Sequence, residues 1–130
     1  NGWFVEPTIF GGVRNDMRIA QEEVFGPVLS VIPFDSADEA LSIANDSSYG
    51  LAAGVWTQDI RKIKHFSERL QAGTIWANTY RVISYMTPLG GYKNSGLGRE
   101  NGQNAIYQYL QTKSIMISTA SAVANPFIMR

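Results

Sequence analysis

Apolar positions along this chain fall into two alternating spacings. Residues 28–34 form an apolar run of strand length, broken by Ser30 and carrying Pro33 near its end. Residues 51–57 and 74–78 form two more such runs. Between them the spacing turns helical. Ala37, Ala40, Leu41 and Ala44 stand at i, i+3, i+4 and i+7, which is one stripe of a helix. Ser36 and Glu39 frame its start as a capping box, the hydroxyl accepting from the Glu39 amide while the carboxylate reaches back. Asn45 to Gly50 is turn chemistry. A second helix follows, with Ile60, Ile63, Phe66 and Leu70 on one face and Asp59 as its N-cap. Arg61, Lys62, Lys64, Glu68 and Arg69 fall mainly on its solvent side. Gly73 is expected to end it as a C′ glycine.

Three apolar strands separated by two amphipathic helices predict an α/β fold, a βαβαβ unit with a parallel sheet and right-handed crossovers. Apolarity that is continuous along a strand belongs to a sheet covered on both faces. One such unit supplies helices to one face, so the other face calls for a partner. Around this centre the pattern is weaker. Residues 3–10 read as an edge strand interrupted at Pro7. Residues 16–23 suit a short helix, broken by Phe25-Gly26-Pro27. Residues 80–100 are a long glycine-rich loop, a type that is often functional. Residues 103–111 read as a helix, with Ile106 and Leu110 on one face. Residues 113–118 read as a last strand.

Composition narrows the function. With 130 residues, 45% of them hydrophobic and 17% charged, the chain has the make-up of one globular domain. Eleven basic residues balance eleven acidic ones, so nucleic acid and anionic membranes are not expected partners. No cysteine is present, which excludes disulfides, thiolate chemistry and cysteine-based metal sites within the chain. One histidine, His65, makes a zinc site improbable. No apolar run approaches the roughly 20 residues that span a bilayer, and no secretion signal leads the chain, so a cytoplasmic location is expected. The chain opens on Asn1 rather than Met, which points to a piece of something longer.

Motifs for common chemistries fail. His65 sits among Lys and Glu positions of a helix and reads as a solvated imidazole rather than a member of a hydrolase triad. Gly91 and Gly96 have P-loop spacing, but Leu97 and Gly98 stand where Lys and Ser or Thr are needed. Gly96-Leu97-Gly98 begins a dinucleotide fingerprint, but Asn101 replaces its third glycine. Glu22 and Glu23 are adjacent, and neighbours i and i+1 on a helix do not share a face. Asn45-Asp46-Ser47 matches a glycosylation sequon and, without a secretion signal, is taken as chance.

Five segments in order resemble the aldehyde dehydrogenase superfamily, in its C-terminal portion. They are Glu6-Pro7-Thr8-Ile9-Phe10-Gly11; Glu22-Glu23-Val24-Phe25-Gly26-Pro27-Val28; Ala44-Asn45-Asp46 with Tyr49-Gly50-Leu51-Ala52-Ala53; Ala72-Gly73-Thr74-Ile75-Trp76-Ala77-Asn78; and Pro88-Leu89-Gly90-Gly91-Tyr92-Lys93-Asn94-Ser95-Gly96-Leu97-Gly98-Arg99-Glu100. The resemblance implies that residues 1–111 are an incomplete C-terminal part of the catalytic domain. Residues 112–119 would be an oligomerisation strand, and residues 120–130 a tail. Glu23 matches the glutamate that accepts hydrogen bonds from the nicotinamide ribose, and Phe25 the aromatic that packs beside it. The loop of residues 80–89 matches a wall of the aldehyde tunnel. Ile83 and Leu89 stand there where many members carry aromatics, which implies a differently shaped pocket. The strand of residues 113–118 would extend a sheet of a neighbouring subunit in a homodimer or homotetramer, with Tyr107, Tyr109 and Gln111 close to that contact.

Family chemistry begins with a cysteine thiolate attacking the aldehyde, and NAD or NADP takes the hydride. A glutamate base then activates water to release a carboxylic acid. The nucleophile, the oxyanion asparagine and the base all precede the region matched. The chain therefore carries no catalytic residue, and alone it is expected to be inactive. Two readings stand: a fragment of an aldehyde dehydrogenase, or a free-standing, non-catalytic interaction or oligomerisation module.

Overall fold

The computed structural model describes residues 2–122, 125, 127 and 128. The expectation drawn from Asn1 and part of the tail at 120–130 lie outside the described residues. Strand β1 spans Thr8–Phe10, shorter than the apolar run 3–10 because Pro7 ends the ladder. Helix α1 is Arg18–Gln21 and strand β2 is Val28–Ser30. Helix α2 spans Ala37–Asn45, β3 Tyr49–Gly50 and β4 Ala52–Val55. Helix α3 is Ile60–Arg69, β5 Thr74–Ala77 and β6 Tyr92–Lys93. A 3₁₀ helix covers Gln103–Tyr109, a tighter form of the helix expected at 103–111.

The α/β character holds, with parallel strands joined through helices. β4 and β5 pair in parallel from Ala52 opposite Thr74 to Val55 opposite Ala77, with α3 as the crossover. β1 and β2 also pair in parallel, Thr8 opposite Val28, with α1 between them. One sheet running through all three expected strands is not formed among the described residues. β2 is three residues long, bounded on one side by Pro27 and followed by Pro33, and pairs with β1 in place of β4. Proline lacks the amide that a longer ladder needs. The bonds from Val31 N to Phe10 O (2.8 Å) and from Val13 N to Val31 O (3.1 Å) carry the β1–β2 contact a little further. β3 and β6 form a short antiparallel pair that the sequence pattern did not disclose.

Both helix starts behave as expected. Ser36 Oγ accepts from the Glu39 amide at 3.1 Å, and Glu39 Oε2 reaches back to the Asp35 amide at 2.8 Å. Asp59 Oδ1 accepts from the Arg61 amide at 2.9 Å. Along α3, Ile63 and Phe66 turn inward and Leu70 is buried, whereas Ile60, at the first turn, stays exposed. Gly73 is not the C′ residue. The helix ends at Arg69 and Leu70 caps it in extended conformation. Glycine is needed at position 73 because a Cβ would overlap the Gly90 carbonyl.

Residues 113–118 form no strand within this chain, and Ile115, Met116 and Ile117 are 76%, 95% and 83% exposed. No described strand lies alongside to complete a ladder. Exposure extends well beyond this segment. Val13 and Leu70 are the buried hydrophobic residues among those described. The accessible surface is 11494 Å², against roughly 6,800 Å² for a compact monomer of this mass. The two-sided burial that the strands demand is not met by the chain itself.

Candidate functional site

A cleft of about 350 Å³ opens where the C-terminal end of α2, strands β3 and β4 and the turn after α3 converge. Glu23, Asn45, Ser47, Tyr49, Gln71 and Ser95 line it. Helix α2 ends here, its last carbonyl and that of Ser47 beyond it meeting a side-chain donor. Lys93 Nζ donates to Asn45 O at 2.6 Å and to Ser47 O at 2.9 Å. A cation at a helix C-terminus meets both the unpaired carbonyls and the negative end of the dipole. The Asn45 side chain spans the gap to α3, donating to Arg69 O at 2.9 Å and accepting from Gln71 N at 2.8 Å. Its amide is thereby committed on both sides. Gly50 lies at the floor, buried, and its amide donates to Ser95 Oγ at 3.0 Å. A Cβ at Gly50 would come within 2.5 Å of Gln71 O.

The adjacent glutamates separate in this setting. Glu22 is held by Arg18 through two charge-assisted bonds of 2.9 and 2.7 Å. The hydrogen bond from Arg18, reinforced by its charge, lowers the Glu22 carboxyl below the usual range. Glu23 instead presents an exposed carboxylate to the cleft wall. Its backbone is tethered nearby. Gln21 Nε2, two residues before it, donates to Asp46 O at 3.0 Å and to Asn15 O at 2.8 Å, and Asn15 Nδ2 donates to Asp46 Oδ2 at 2.6 Å.

The other expected site residues are not gathered with Glu23. Phe25 is 94% exposed and is not among the residues that line the cleft. Ile83 is exposed on its loop, which Trp76 Nε1 anchors by donating to Val82 O at 2.8 Å. Leu89 is half-buried and bridges to Glu100 through mutual backbone bonds of 2.7 Å. A second cleft, of about 550 Å³ between α2, α3 and β4, is lined by Phe34, Val55, Trp56 and Phe66 among others. It holds none of the four residues either. His65 is less solvated than expected. Its side chain is 32% exposed, and Nε2 is shielded, 3.3 Å from Asp38 Oδ1 but outside hydrogen-bond geometry. No group of three metal-ligating side chains occurs among the described residues, nor does any helix there have the length and apolarity to cross a membrane.

A sequence model of the aldehyde dehydrogenase family matches residues 1–115. The chain belongs to the aldehyde dehydrogenase family. Among its relatives, the betaine aldehyde dehydrogenase of Mesorhizobium japonicum is 51% identical over 126 residues, covering 97% of this chain and 26% of that protein. Aldehyde dehydrogenase 1A1 of Mesocricetus auratus is 50% identical over 116 residues, covering 89% and 23%. Solved structures agree. The betaine aldehyde dehydrogenase of Staphylococcus aureus in complex with NAD+ superposes with a TM-score of 0.90 at 44% identity, over 97% of this chain and 25% of that one. The Mycobacterium tuberculosis aldehyde dehydrogenase complexed with NAD+ gives 0.84 at 48% identity, over 94% and 25%. This aldehyde dehydrogenase chain thus spans about a quarter of the length of the relatives it matches.

Proposed function

We propose that the chain is the C-terminal part of an enzyme that oxidises an aldehyde to a carboxylic acid with NAD(P)+. Within it, Glu23 accepts hydrogen bonds from the nicotinamide ribose hydroxyls. The observation that carries this is the division between the two glutamates. Glu22 is spent on Arg18, while Glu23 is exposed and lines a cleft of mixed polar and apolar walls. Such a carboxylate suits a vicinal diol, since two acceptor oxygens meet two hydroxyl donors. Asn45, Ser47 and Ser95 add polar groups to the same walls. NAD+ in the S. aureus and M. tuberculosis structures supports NAD over NADP as the first cofactor to try. When bound, the nicotinamide serves as hydride acceptor. In this reading Phe25 packs on that ring, and Ile83 and Leu89 shape the aldehyde pocket.

The chain has no cysteine. The thiolate that attacks the aldehyde therefore comes from outside these residues, and the chain alone is inactive. The exposed segment at residues 113–118 is the natural edge for pairing with a neighbouring subunit in a homodimer or homotetramer.

The test uses the full-length protein carrying this sequence, its intact mass and its aldehyde-dependent NADH production. Glu23→Gln keeps the shape and removes the charge, so the KM for NAD+ is expected to rise by roughly tenfold or more, the usual weight of a charged hydrogen-bond partner. An unchanged NAD+ KM and kcat would refute the assignment.

A further inference from the structure

We infer that Lys93 is a positioning residue for the cofactor cleft, fixing the wall against which Glu23 works. The inference rests on the ribose assignment of Glu23. Lys93 has a φ of 52°, a left-handed backbone that non-glycine residues keep where their surroundings hold them and that often marks a functional site. Its ladder pairing with Tyr49 and the bonds around it hold it there. The Asn94 amide donates to Ser48 O at 3.0 Å, and Lys93 Nζ donates to the carbonyls of Asn45 and Ser47. The ammonium thus grips both sides of Asp46. Asp46 is the residue that receives Gln21 and Asn15, and Gln21 lies two positions before Glu23. One continuous chain of polar contacts runs from Lys93 through the end of α2 to the backbone that presents Glu23. Asn45 and Ser47, the residues Lys93 holds, themselves line the cleft opposite.

The geometry uses two donors of one ammonium, on a flexible stem, to meet two carbonyls of one turn. Methionine offers the stem without the donors. It would free the end of α2, let Asp46 drift and loosen Glu23 without touching the cofactor itself. Arginine keeps the charge and offers several donors to the same turn.

The test measures NAD+ affinity by quenching of tryptophan fluorescence, with KM and kcat for both substrates, in the full-length enzyme. Lys93→Met is expected to raise the Kd and KM for NAD+ by about fivefold to tenfold. The KM for aldehyde should stay within about twofold, and Lys93→Arg should restore most of the loss. NAD+ affinity that is unchanged in Lys93→Met, or a loss shared equally by aldehyde and NAD+ and not rescued by arginine, would overturn the inference. Should Lys93→Met not yield soluble enzyme, Gln21→Ala cuts the same chain of contacts at Asp46. An unaltered NAD+ Kd there overturns it equally. Glu23→Gln, measured in parallel, separates the two ideas. If it leaves NAD+ binding unmoved, the ribose assignment fails and the inference with it. If it weakens binding while Lys93→Met does not, the positioning role alone fails.

Discussion

Asn45→Ala is the sharpest local test of how the cleft is held. The Asn45 side chain makes two bonds between the end of α2 and the end of α3, a donor to Arg69 O at 2.9 Å and an acceptor from Gln71 N at 2.8 Å. Each such bond contributes about 1 kcal/mol net, so losing both costs about 2 kcal/mol locally. The Gln71 amide is the reporter. Its protection from hydrogen exchange depends on how often this joint opens, and a 2 kcal/mol loss corresponds to exchange faster by about 30-fold. Site-resolved exchange measured by NMR or by fragmentation mass spectrometry reads that amide directly. Asn45→Asp divides the effect, because it keeps an acceptor for Gln71 N and removes the donor to Arg69 O. Gln71 exchange should then rise by only about fivefold, the weight of the one bond lost. If Gln71 exchanges at the parent rate in Asn45→Ala, the asparagine bridge does not hold the cleft wall and the account of the α2–α3 joint is wrong.

Two further outcomes follow from the structure. Gly73→Ala should lower stability by about 1–3 kcal/mol, because the added Cβ meets backbone at Gly90 rather than a movable side chain; a thermal melt of the full-length enzyme checks it, and an unshifted Tm would refute the close approach. Asp59 has its carboxyl lowered chiefly by the hydrogen bond from the Arg61 amide. A depressed folded-state pKa means stabilisation that is present above the ordinary carboxylate range and lost as pH falls through the depressed value. Amides of the first turn of α3 should therefore lose exchange protection as pH drops below that range, and Asp59→Asn should flatten the dependence. A profile identical in both proteins would dispose of the cap as its cause.

Much of the fold was legible because local rules were obeyed. Ser36 with Glu39 and Asp59 announced both long helices, and the helical stripes named the inward residues Ile63, Phe66 and Leu70. Pairing was less legible, since a short apolar run does not say which neighbour it will take. β2 and β4 read alike, yet prolines on either side of β2 leave it a ladder that β1 fills. Gly73 was assigned to the wrong cause, because a glycine after a helix fits a cap and a close backbone approach equally well in sequence. The cleft was half legible. Glu23 came through the resemblance of its segment, but Lys93 and Asn45 act through backbone groups distant in sequence and leave no periodic trace; Asn78, outside the cleft lining, does the same. Asn78 bonds both backbone groups of Thr57, at 2.9 and 2.8 Å, across 21 positions. A positively charged residue in a glycine-rich stretch with no nearby acid, as at Lys93, was the one signal available for that position.

The surface favours the first of the two readings of the chain, a part of a larger enzyme. Its 11494 Å² exceeds the area of a compact monomer of this mass by roughly 4,700 Å². A single standard interface covers about 800 Å² on each partner. An interaction module that pairs through the edge at residues 113–118 would leave most of that excess wet. Trp3, Phe4, Phe25, Tyr85 and Leu97, each more than four-fifths exposed, are spread over segments far from that edge. Strands that are apolar on both faces, next to helices that cover one, need a second layer rather than a second strand. Cover on that scale is what the body of a larger enzyme provides, and it explains why a chain with so little core of its own nonetheless follows solved aldehyde dehydrogenase structures at a TM-score of 0.90.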